Sequence, residues 1–143
     1  MRKAVLDSTV LVSAFLKKGG VSYTLLRQAF EGAFVPCFAD AILDEVDKVL
    51  RYPRIRKKNR YTDEEIRKYV SLLGTVGQMI SSLPRLRVVI RDPNDDMIIA
   101  CAVKAKAEHI VTRDKDLLDL GHYHEIEIVS PEAFLTVLRS DET

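Results

Sequence analysis

The run Asp92–Ala102, DPNDDMIIACA, decides how the rest of the chain is read. It opens with three acids in five residues, interrupted by Pro93 and Asn94, and passes straight into an apolar stretch. Pro93 ends whatever precedes it, because its ring removes the N–H that a ladder or a helix interior needs. Asp95 and Asp96 then fall at a helix N-terminus, where carboxylates complement the unsatisfied N–H groups of the first turn. Taken alone, this is a charged helix cap. Three other segments, however, each end an apolar run on an acid, and that repetition asks for a second explanation.

Working outward, the apolar runs are short and alternate with helical patterns. Lys3–Leu6 stops at Asp7 and reads as a buried strand with its acid at the carboxyl end. Ser8–Leu16 continues as a helix that Gly19 and Gly20 break. Ser22–Glu31 has helical spacing at Leu25, Leu26, Ala29 and Phe30 and stops at Gly32. Phe34–Phe38 is a second strand, made irregular by Pro36. Ala39–Tyr52 is a helix with Ile42, Leu43, Val46, Val49 and Leu50 on one face, ended by Pro53. Thr62 opens a further helix with a capping box to Glu65. Leu86–Ile90 is the third strand and leads into Asp92. Met97–Ala107 is a helix apolar enough to be largely buried. Ile110–Thr112 and Ile126–Val129 complete the strands, and Ser130 with Pro131 starts the last helix. Five short strands alternating with helices predict an α/β fold with a parallel sheet between helical layers.

At 143 residues, 47% hydrophobic and 30% charged, the chain suits one globular domain, 1–143. Its net charge of +1 advertises no nucleic-acid or membrane partner, so any such surface is local. No apolar run approaches the ~20 residues of a membrane helix. The N-terminal stretch meets Asp7 too soon for a signal peptide, and the expected location is cytoplasmic. Cys37 and Cys101 lie inside apolar runs without metal-type spacing, and read as buried thiols.

In a parallel sheet, ligands bind outside the carboxyl ends of the strands. That rule gathers Asp7, the acids Asp92, Asp95 and Asp96, and the pair Asp114 and Asp116 at one rim. Glu45, about two turns into the helix after the second strand, can reach it. Such a cluster repels itself unless divalent cations fill it, and oxygen ligands select one or two Mg²⁺ or Mn²⁺ ions. Ions of this kind activate water for phosphodiester displacement. His109, His122 and His124 are not at strand carboxyl ends; His122 and His124, in GHYHE, read as a solvated turn.

VLDSTVLVSAF, the acid within ILDEVDKVL, DPNDDMIIACA and VTRDKDLL, in that order, resemble the PIN-domain family of metal-dependent ribonucleases. The likeness runs over about residues 2 to 135 and is nearest to the VapC-like branch of toxin–antitoxin toxins. It implies a three-layer α/β/α, PIN-like sandwich with five parallel strands in the order 3-2-1-4-5. It implies catalytic, metal-holding roles for Asp7, Glu45, Asp96 and Asp114, with Asp116 and Thr112 as accessory positions. Asp96 is chosen over Asp95 because the family pattern, an acid, two residues, then Ile-Ala, matches Asp96, Ile99 and Ala100; Asp95 is a cap or a supporting group. The family usually has asparagine two residues after the first acid, and here Thr9 stands there with a hydroxyl able to bond a carboxylate or a metal water. A homodimer through the second and fourth helices, and an antitoxin partner, are further implications.

Arg51–Arg60, RYPRIRKKNR, carries six basic residues in ten. Beside an acidic site, Arg51, Arg54, Arg56, Lys57, Lys58 and Arg60 form an expected RNA surface, since phosphate contacts supply most non-specific affinity. Arg113 is placed either to touch phosphate or to neutralise the acids. The tyrosines, Tyr52 and Tyr61 at the edges of this run among them, offer faces for stacking on unpaired bases, against which Tyr52 and Tyr69, at helical positions, read as core. Rival readings are a housekeeping PIN nuclease of RNA processing, a catalytically inactive RNA-binding module, and a phosphatase resembling the haloacid-dehalogenase type through Asp7-Ser8-Thr9-Val10. The last lacks a lysine at a strand end other than Lys115 and leaves Glu45 unexplained.

Overall fold

Strand β1 (Lys3–Leu6) is apolar in succession, and Ala4, Val5 and Leu6 have no accessible surface. A strand buried on both faces needs neighbours on both edges and helices above and below. In the computed structural model, which describes residues 1–87 and 93–142, β1 has both edges filled. It pairs in parallel with β2 (Val35–Phe38) on one side and β4 (His109–Val111) on the other. The sheet runs β3-β2-β1-β4-β6-β5, with β6 (Ile126–Val129) parallel to β4. The predicted α/β sandwich and the expected order about β1 are therefore present, with two differences in the strands.

First, the place beside β2 is held by β3, the two residues Gln78–Met79, where the run at 86–90 was expected. Residues 88–92, most of that expected strand together with Asp92, lie outside the described residues. Second, GHYHE is more than a turn: His122–Tyr123 forms β5, antiparallel to β6. Both short strands lack an apolar run, so no periodicity marked them.

The helices follow their caps. Helix α1 (Ser8–Leu16) begins on Asp7, whose side chain accepts the Val10 N–H. Helix α2 (Val21–Phe30) starts after Gly20, and α3 (Asp40–Leu50) ends before Pro53. The basic segment contains α4 (Pro53–Lys58), with proline pre-set for the first turn. Helix α5 (Asp63–Val76) carries the full capping box of Thr62 and Glu65. Helix α6 (Pro93–Ala105) packs across β1, β2 and β4 and buries Ile98, Ile99, Cys101 and Ala102. A short α7 (Lys115–Leu120) starts on Asp114, and α8 (Pro131–Asp141) on Ser130. Phe34 and Phe134 meet edge to face at 5.0 Å inside the core. His109, 4% exposed, packs on Phe134, and burial holds its imidazole below the ordinary value, hence neutral. Cys37 and Cys101 are free and buried, with thiols pushed up to about 11 and about 12 by desolvation.

Candidate metal centre

The register of the sheet aligns the carboxyl ends of β1 and β4, Leu6 opposite Val111, so the next residues, Asp7 and Thr112, meet. Outside those ends lies a hollow of about 120 Å³ whose acids are Asp7, Glu45, Asp95 and Asp114. Each comes from a different segment: the end of β1, α3, the first turn of α6, and the start of α7.

Asp7 is 4% exposed and is held by three donors. The Thr9 hydroxyl donates to one carboxylate oxygen at 2.5 Å, and the Val10 N–H donates to the same oxygen at 3.3 Å. The Thr112 hydroxyl donates to the other oxygen. Both threonines also accept from the loop after β4: Thr9 from the Arg113 N–H at 3.1 Å, Thr112 from the Asp114 N–H at 2.9 Å. The two hydroxyls thus tie the ends of β1 and β4 to one carboxylate. Burial pushes Asp7 above the usual carboxylate range, the hydrogen bonds from Thr112, Thr9 and Val10 pull it back, and the Asp114 charge adds to the rise.

Asp114 caps α7 by accepting the Asp116 N–H at 2.8 Å. One carboxylate oxygen each from Asp95, Asp114 and Asp116 lie within 4.8 Å of one another. Glu45 is exposed and reaches the hollow from the second turn of α3, as its position in the sequence suggested. Asn94 and Ser8 also line it and were not singled out from sequence, although Asn94 directly precedes Asp95.

The two acids of α6 stand opposite to expectation. Asp95, 4% exposed, faces the hollow, whereas Asp96 lines a different depression with Leu83, Arg85, Arg87 and Met97. The helix period explains it. Asp95 shares its face with Ile98, Ile99 and Ala102, the sheet-facing stripe, while Asp96 falls in line with Ala100 and the half-exposed Val103. Counting from the buried stripe selects Asp95; matching the Ile-Ala pair selected its neighbour.

Arg113 does not neutralise the acids. Its guanidinium makes a two-pronged pair with Glu132, both contacts at 3.1 Å, and holds that carboxyl below its usual range. Nor is the basic segment wholly free. Arg51 pairs with Asp47 at 3.1 Å and Asp63 at 3.2 Å, and Arg56 with Asp63 at 2.6 Å. Arg54, Lys57, Lys58 and Arg60 are exposed and make no ion pair among the described residues. Tyr52 is 38% exposed and not core, whereas Tyr69 is half-buried, packs against the core and donates to the Leu11 carbonyl at 2.6 Å.

The donors around the hollow are carboxylates, hydroxyls and an amide, with no histidine or cysteine among them. Hard oxygen donors with excess negative charge fit a divalent cation such as Mg²⁺ or Mn²⁺.

Comparison with known proteins adds the following. A model of the PIN domain matches residues 3–116. The uncharacterized protein MJ1680 of Methanocaldococcus jannaschii is 32% identical over 120 residues, 82% of this chain and 74% of that protein. Among solved structures, PAE2754 from Pyrobaculum aerophilum superposes with a TM-score of 0.64 at 14% identity, covering 97% of this chain and 90% of its own. VapBC2 from Rickettsia felis, bound to a DNA fragment from their promoter, gives 0.60 at 14% identity, covering 90% and 98%. At those identities the two structures speak for the fold alone.

Proposed function

The chain belongs to the PIN-domain family, whose members are generally nucleases, and on that premise we propose that it is a metal-dependent endoribonuclease hydrolysing RNA phosphodiester bonds. The observation that carries the reading is the convergence of Asp7, Glu45, Asp95 and Asp114 on one hollow. Asp7, Asp95 and Asp114 would hold one or two Mg²⁺ or Mn²⁺ ions, with Glu45 at the open side and Asp116 beside Asp114. A bound ion would supply a water acidified toward neutrality and a counter-charge for the phosphate. Asp7 is fixed in orientation by Thr9 and Thr112, so little rearrangement is needed when a cation arrives.

The finer role we propose is that of a cytoplasmic toxin with a protein antitoxin, supported by the VapC-like order of the four acidic segments. A homodimer belongs to the same proposal; Leu72, 45% exposed on α5, is apolar surface it would cover. The direct test is Mn²⁺-dependent cutting of single-stranded RNA. Asp7→Asn and Asp95→Asn are each expected to slow it by roughly 10²–10³, the cost of losing one electrostatic group at a reacting centre. Hydrolysis of a small phosphate ester in place of RNA would return the phosphatase reading. Growth arrest on expression, lost in Asp7→Asn, tests the toxin role.

A further inference from the structure

A second hollow, of about 620 Å³, opens beside the carboxyl end of α1, between α2 and α5, in the size range of ligand clefts. Its walls are aromatic: Phe15, Tyr23, Phe30, Tyr61 and Tyr69. Phe15 meets Tyr61 edge to face at 5.0 Å and Tyr69 at 4.8 Å. The Tyr61 and Tyr69 hydroxyls donate to the Leu50 and Leu11 carbonyls at 2.5 and 2.6 Å, which fixes both rings as walls. Phe30 is 40% exposed and Tyr23 half-buried, so ring surface is left for a ligand.

The rim is positive. Lys18 and Arg60 make no ion pair among the described residues, and Arg27 and Lys68 have only exposed partners one helical turn away, at 3.6 and 3.7 Å. Pairs of that kind hold their cations weakly. The one acid on the lining, Glu65, has an oxygen engaged by the Thr62 N–H and hydroxyl, both at 3.2 Å. Aromatic faces inside a ring of cations complement a polyanion carrying flat apolar rings.

We infer that this hollow takes unpaired bases of the RNA whose backbone enters the acidic hollow, as a stacking site apart from the reacting phosphate. The inference rests on the nuclease reading above. Helix α1 joins the two sites: Phe15 is six residues beyond Thr9, about 9 Å along the axis, a span of few nucleotides. Bases in a duplex are stacked inside it and cannot lie on these rings.

The test uses the full chain in chelator, titrated with an oligouridylate of about eight nucleotides, with its duplex, and with an acidic peptide of alternating glutamate and leucine. Phe30→Ala and Lys18→Gln alter exposed side chains and leave the core intact. Each is expected to weaken oligouridylate binding roughly five- to tenfold, with duplex binding unchanged and amide shifts from the RNA confined to α1, α2 and α5. Equal binding by parent and variants overturns the inference, as does peptide binding at α2 and α5 where RNA shifts no amide. Adding Mn²⁺ separates the two readings. Hollow-dependent binding without cleavage sinks the nuclease and supports the hollow; cleavage indifferent to both substitutions does the reverse.

Discussion

Asp7 spends its life as a buried carboxyl whose proton is held more tightly in the folded chain than in the unfolded one. Such a group opposes folding at pH values above its folded pKa, and the cost is withdrawn as pH falls through that value. Asp63, Glu132 and Asp141, held low by Arg56, Arg113 and Arg2, act in the opposite sense, contributing stability that acid removes. In metal-free protein the stability difference between Asp7→Asn and parent should therefore favour the variant most at neutral pH. It should shrink as pH falls toward about 4, measured by denaturant unfolding; a difference that grows with acid would refute the assignment. Cations bound only by the folded site raise stability by mass action, about 2.7 kcal/mol at a hundredfold excess over Kd, or roughly 5–10 °C for a domain of this size. Asp95→Asn should blunt that Mn²⁺-induced rise and Asp96→Asn should leave it intact; equal rises in both variants would remove Asp95 from the metal. Which of two adjacent acids faces the sheet was legible in principle, since Ile98, Ile99 and Ala102 carry the answer, but a matched dipeptide outweighed the helix period.

Elements were legible wherever a cap or an apolar run announced them. Thr62 with Glu65, Ser130 with Pro131, and the Asp7 end of β1 each combined a local hydrogen-bonding reason with a pattern change, and each element is where it was expected. The short β3 was not, because its placement comes from tertiary contact. Helix α5 ends at Gly77, and β3 follows at once against the end of β2. A Cβ on Gly77 would lie 2.2 and 2.4 Å from ring carbons of Phe38, which is fully buried. Glycine is there for close approach, with an ordinary backbone at φ −82°. Gly77→Ala should thus destabilise by about 1–3 kcal/mol through overpacking. Gly74→Ala, whose Cβ meets only a Leu43 methyl at 3.7 Å, should gain about 0.5–1 kcal/mol from helix propensity. Urea unfolding of the two variants, without metal, reads both signs; a neutral Gly77→Ala would mean that the ring moves aside freely.

Over the whole molecule, 22 basic residues against 21 acidic leave a charge of +1, which conceals a strong separation. Four acids converge at the carboxyl edge of the sheet, while α4 and Arg60 carry cations next along the chain from α3, the helix that supplies Glu45. The run RYPRIRKKNR suggested this surface but overstated it, because Asp63, at the start of α5, holds both Arg51 and Arg56, and Asp47, one turn back on α3, also holds Arg51. Tethered guanidinium groups release fewer counterions on meeting phosphate than free ones, so the effective surface is Arg54, Lys57, Lys58 and Arg60. Four phosphate contacts to a single strand give a slope of log K against log salt of about −2.8. Lys57→Gln with Lys58→Gln should bring that slope to about −1.4, with the melting temperature unmoved because neither side chain has an ion-pair partner among the described residues. Arg51→Gln with Arg56→Gln should do the converse, lowering stability while leaving the slope nearly as it was. Salt titrations of RNA binding in the two double variants distinguish a surface built from unpaired cations from one set by the run's composition, which predicts equal loss from either pair.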